Sequence, residues 1–62
     1  DGDLLLIPRE GKERFLFGQP YGLDEKFDKM GLYYRSIRKE KGEDAYRTVD
    51  LRFDGQIVCR KN

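Results

Sequence analysis

Few residues in this chain could carry out covalent or acid–base chemistry. There is no histidine, the side chain that most readily exchanges protons near neutral pH and the commonest metal ligand. The single serine, Ser36, stands between Arg35 and Ile37, with no neighbouring base to activate it as a nucleophile. The single cysteine, Cys59, alternates with Val58 in a strand-like run and reads as a small buried hydrophobe. Asp50 and Arg52 are spaced to share one face of a strand; an exposed pair of this kind contributes less than about 1 kcal/mol. No glycine-rich phosphate loop is present, and no carboxylates fall into an acid–base couple. The expectation is a non-catalytic protein with no cofactor or metal site, so the remaining chemistry is that of binding.

Two stretches offer binding chemistry. Arg35, Arg38, Lys39 and Lys41 form a basic cluster, which with Tyr33, Tyr34 and Tyr46 would suit base stacking in a small nucleic-acid-binding domain. The ordinary reading is a solvated helix end and tyrosines packed on a sheet. The net charge of +1 provides no electrostatic footprint for nucleic acid or an anionic membrane. The other stretch is 56–61, whose final strand invites either blunting by Arg60 and Lys61 or the addition of a partner's strand along its edge.

The elements that position these residues follow from periodicity. Asp3 to Pro8 encloses a short apolar run, Leu4-Leu5-Leu6-Ile7, which reads as a strand buried on both faces that either ends near Pro8 or lies at a sheet edge there, since proline lacks an N–H. A polar turn over 9–13 leads to a second strand at Arg14-Phe15-Leu16-Phe17, and the two are expected to form an antiparallel hairpin. From Leu23 the period changes to that of a helix, with Leu23, Phe27, Met30, Tyr34 and Ile37 as one apolar stripe. Asp24, Glu25 and Asp28 suit its N-terminal dipole, the basic cluster suits its C-terminal end, and Gly42 is the stop. A helix is expected over 23–41, with Gly31 allowing close approach to the sheet.

Two β-prone runs then flank Asp54-Gly55, a hairpin signal. A two-residue loop would place Leu51 opposite Val58 and Val49 opposite Arg60. A three-residue loop, with Gly55 left-handed, would place Leu51 opposite Ile57 and Val49 opposite Cys59. The second register is preferred, because it gathers Val49, Leu51, Ile57 and Cys59 on one apolar face and leaves Thr48, Asp50 and Arg52 on the other. The fold class is therefore α+β, a two-layer β-β-α-β-β arrangement with one helix on a small sheet of about four strands.

Sixty-two residues form a single small domain, with a marginal core and no internal disulfide to reinforce it. A polar composition with 40% charged residues fits a fragment excised from a larger domain with some sheet surface left uncovered, and a first residue other than Met suggests a cleaved segment. The order of elements supports that view. Leu4 to Pro8, Arg14-Phe15-Leu16-Phe17-Gly18, Glu25-Lys26-Phe27 with Lys29-Met30, the run from Tyr46 to Phe53 that contains Val49-Asp50-Leu51-Arg52-Phe53, and the strand from Gln56 to Arg60 together resemble the C-terminal part of the extracytoplasmic β domain of the bacterial cell-division family FtsQ (DivIB). The resemblance implies a non-catalytic divisome scaffold, membrane-anchored as a whole but not through this segment, working on the extracytoplasmic (periplasmic) side of the inner membrane. It implies FtsB/FtsL (DivIC)-type partners and docking by strand addition. Carried over by position, Arg52 is a polar contact, Phe53 an apolar anchor, Gly55 a point of close backbone approach, and Gln56, Ile57, Val58 and Arg60 belong to the edge. The turn is shorter than in some members of that family, and Arg60 stands where some carry an aromatic. The remaining readings are nucleic-acid binding, or a segment that only completes a larger core.

Overall fold

A computed structural model of the chain describes residues 3–42 and 44–61. Four strands, β1 (Leu4–Leu6), β2 (Arg14–Gly18), β3 (Thr48–Asp50) and β4 (Val58–Arg60), form one sheet in the order β1-β2-β3-β4. The hairpins β1–β2 and β3–β4 are antiparallel, whereas β2 and β3 run parallel. Parallel neighbours need a crossover, and the helix supplies it. It begins as α1 (Leu23–Leu32), passes through a π-helical turn (Tyr33–Ile37) and ends as α2 (Arg38–Lys41), one residue before Gly42. The α+β class, the element order and the helix limits are those expected from the sequence.

The core is small. Phe15 and Phe17 of β2, Tyr33 of the helix, Val49 of β3 and Leu51 beyond it are buried, with Leu23, Met30, Tyr34, Ile37, Tyr46, Ile57 and Cys59 packed around them. The helical stripe is modified by the π turn, which fits one more residue into a turn of helix. Tyr33, outside the expected stripe, is thereby the buried residue, and Tyr34 still faces the sheet. The Phe15 ring lies 5.6 Å from both tyrosine rings, edge-on to Tyr33. Phe27, expected on the stripe, remains half exposed and touches Phe17 at its rim. Gly31 also departs from expectation: a Cβ there would meet the Arg35 side chain, not the sheet.

Two further corrections concern the first hairpin. β1 is not buried on both faces, since Leu4, Leu5, Leu6 and Ile7 are all exposed at the edge of the sheet. Glu13, assigned to a polar turn, is buried. Its Oε2 accepts a hydrogen bond from the Tyr33 hydroxyl at 2.7 Å and another from Arg38 Nε at 2.9 Å. Burial alone would push this carboxyl up, but those hydrogen bonds and the Arg38 charge outweigh it and hold Glu13 below the usual carboxylate range. Burial and the Glu13 partner push the Tyr33 hydroxyl well up, so it remains a donor. The triad fastens the helix across the start of β2. Tyr33→Phe keeps the ring on Phe15 and removes the hydroxyl, so it should cost about 2 kcal/mol in urea unfolding, the scale of a hydrogen bond to a charged group. No loss would mean that Arg38 alone secures Glu13.

Candidate functional site

The expected binding residues lie on the β3–β4 hairpin. Val49 pairs with Cys59 and Asp50 with Val58, the register of a three-residue loop over 53–55. Gly55 has φ 66°, the left-handed conformation that such a loop requires and that glycine adopts without strain. Val49 and Leu51 are buried and Ile57 and Cys59 pack against them, as the preferred register predicts.

The opposite face is not the solvated one that the sequence suggests. Asp50 has 0% exposure, so its pair with Arg52 is not a surface ion pair. Arg52 donates from Nε to Oδ1 at 2.8 Å and from Nη2 to Oδ2 at 2.7 Å, and its backbone N–H reaches Oδ1 at 3.1 Å. Arg60 Nη1 lies 3.7 Å from Oδ2. This two-pronged geometry matches a planar guanidinium to a planar carboxylate. The Arg52 hydrogen bond, opposed by burial and aided by the Arg52 and Arg60 charges, holds Asp50 below the ordinary carboxylate range. The arrangement also needs Gly18, because a Cβ there would come within 2.9 Å of Arg52 Cγ. With only a hydrogen at that position, the Arg52 stem can lie over the end of β2.

The structure brings the predicted residues into one continuous stretch. The Arg52 side chain keeps 41% exposure while engaged with Asp50, and its guanidinium carbon lies 5.9 Å from the Phe53 ring centroid. Phe53 is 44% exposed, a large apolar ring presented to solvent. A Cβ on Gly55 would meet no atom within 4 Å, so a second backbone has room to approach. Gln56 and Arg60 are exposed, and Ile57 and Val58 are half-buried. Ile57 turns its side chain toward the core, which leaves its main chain as the group it can offer. β4 has a single neighbour, β3, among the described residues. Arg60 C=O accepts from Arg47 N–H at 2.8 Å, so by the alternation of a strand the amides of Val58 and Arg60 face β3 and those of Ile57 and Cys59 face the open edge.

Lys29 is the residue that the sequence reading assigned no role in the hairpin. From α1 its Nζ donates to the main-chain oxygens of Leu51 at 3.0 Å, of Phe53, and of Gln56 at 3.3 Å. The acceptors lie 22 to 27 residues further along the chain, and no local spacing rule connects them. Burial pushes the Cys59 thiol up, away from the reactive thiolate, and Ser36 is exposed on the helix. Among the described residues no cluster of three His, Cys, Asp or Glu could hold a metal.

The depressed Asp50 and Glu13 carboxyls set the direction of the pH response. Each contributes stability that is present above its unfolded pKa, about 4, and is lost as pH falls through the lower folded value. Asp50→Asn should therefore unfold at lower urea than the native chain at pH 7, with the gap narrowing at pH 3. A gap independent of pH would show that the Asp50 charge does not stabilise the fold.

A family model described as FtsQ/DivIB, C-terminal related, matches residues 1–60. No curated protein and no solved structure gives a significant match. FtsQ/DivIB proteins are membrane-anchored cell-division proteins with an extracytoplasmic domain, and no helix among the described residues is long and apolar enough to cross a membrane. With nearly its whole length matched, the chain belongs to the FtsQ/DivIB C-terminal related family, a structural module of bacterial cell division.

Proposed function

We propose that this segment is a docking module of the divisome that binds an FtsB/FtsL (DivIC)-type partner by accepting a strand along β4. The observation that carries this reading is the open β4 edge with an exposed Phe53 at its turn end. Main-chain hydrogen bonds from Ile57 and Cys59 provide the ladder, as in strand addition generally. Phe53 and Arg52 are of the residue types that most often dominate interface energy. Gly55 admits the partner backbone, Gln56 and Val58 line the edge, and Arg60 marks its far end. The module works on the extracytoplasmic (periplasmic) side of the inner membrane, within a larger β domain. The exposed β1 strand supports that last point: Leu4, Leu5 and Leu6 line, with Phe17, Leu23 and Phe27, an apolar groove of about 150 Å³ that suits cover by further chain. The nucleic-acid alternative loses its stacking residues, since Tyr33 is buried and Tyr34 and Tyr46 pack on the core.

The test is an amide NMR titration with the extracytoplasmic C-terminal segment of an FtsB-type protein from the same source. Shifts should concentrate on residues 52–61. Ile57→Pro removes an outward N–H and should weaken binding at least about tenfold, the scale of one hydrogen bond (about 1 kcal/mol) plus the ordering it supports. Val58→Pro removes an inward N–H and should chiefly lower stability. Shifts confined to the helix, or an Ile57→Pro chain that binds as the native one does, would contradict strand addition.

A further inference from the structure

The turn that carries Phe53 has almost nothing of its own to hold it. Arg52, Phe53, Asp54, Gly55 and Gln56 are all exposed, and none of their side chains enters the core. Within the turn, Gln56 N–H donates to Phe53 C=O at 3.3 Å. Arg52 is tied to Asp50 at the turn's base. Beyond that point the turn meets the body of the molecule at Lys29. One ammonium has three hydrogens to donate, and Lys29 directs them at Leu51 and Phe53 on one limb and Gln56 on the other. A single cation thus closes the turn from both sides. Its backbone is held in place in turn: Met30, the next residue on α1, packs against the core.

Resting on the strand-addition reading, we propose that Lys29 is the positioning residue of the docking surface. It fixes Phe53 and the approach to the β4 edge before the partner arrives. Its second effect is selective. The carbonyls of Leu51, Phe53 and Gln56 are turned to the helix and occupied, so a partner strand finds open main-chain groups only further along, from Ile57 onward. A turn ordered in advance does not have to be ordered at the expense of binding, which is how preorganisation raises affinity.

The experiment compares the native chain with Lys29→Met, Lys29→Arg and Lys26→Met by ¹⁵N relaxation of the free protein and by titration with the same partner segment. Lys29→Met should loosen amides 52–56 into the flexible range, with order parameters below about 0.6, while the remaining amides keep their values. Its affinity for the partner should fall about tenfold, the cost of ordering a turn on binding. Lys29→Arg, which keeps a cation with several donors, should recover most of both. Lys26→Met removes a charge that bonds Gln19 C=O instead, and should change neither. An unchanged turn in Lys29→Met overturns the proposal while leaving strand addition standing if the native chain binds. A loosened turn with unchanged affinity also overturns it. If the native chain ignores the partner segment, strand addition fails, and the docking role of Lys29 fails with it.

Discussion

The buried carboxylate of Asp50 is the constraint around which the sheet is arranged. A charge with no exposure is costly unless it is paired and hydrogen-bonded, and three strands cooperate in pairing it. β3 supplies Asp50, with Arg52 just beyond the strand, β4 supplies Arg60, and β2 ends in Gly18, over which the Arg52 stem lies. Replacing any of these should disturb the others, because the guanidinium reaches both carboxylate oxygens from a stem laid over Gly18. Pairs of this kind add little net stability compared with apolar packing, but removing one member is strongly destabilising. They therefore select one arrangement of the strands over its competitors. In this chain the arrangement selected is the one that presents Phe53 and the β4 edge.

A second buried carboxylate fixes the other layer. Glu13, at the start of β2, receives Tyr33 and Arg38 from the π turn and α2, so the helix cannot slide along the sheet without leaving a charge unpaired. Among the described residues, the buried side chains between the two locks are Phe15, Phe17, Val49 and Leu51, with the Tyr33 ring beside them, a small core for the entropy that folding must offset. Lys29, one turn before Tyr33 on the helix, adds a third polar tie that reaches the hairpin turn. Apolar packing drives the collapse of this chain, and polar ties set the relative positions of helix, sheet and turn.

Much of this was legible in the sequence. The change from period two to 3.6 at Leu23 located the helix, and the three-residue loop register followed from keeping Val49, Leu51, Ile57 and Cys59 on one face. The misses share a cause. Periodicity describes ideal helices and strands, so it could not foresee a π turn that brings Tyr33 inward. Glu13 and Asp50 read as surface groups because their partners, Tyr33, Arg38 and Arg60, arrive through the fold; even Arg52, two residues from Asp50, read as a surface partner until burial by the sheet was known. Lys29 was invisible for the same reason. The run Leu4-Leu5-Leu6-Ile7 read as buried because its composition suits a covered strand, and in these 62 residues it lies at an exposed edge instead. The docking role proposed for Arg52 and Phe53 rests on resemblance to a family, since no pattern of spacing distinguishes a docking ring from an exposed aromatic.

Strand addition requires that the open side of β4 receive a second backbone. Hydrogen exchange of individual β4 amides, with and without a saturating FtsB-type segment, measures this directly. The outward amides of Ile57 and Cys59 should exchange freely in the isolated chain and become strongly protected in the complex, while the inward amides of Val58 and Arg60, already bonded to β3, change far less. Protection that rises equally at all four, or at none while the segment is bound, would contradict strand addition and point to side-chain docking elsewhere on the module.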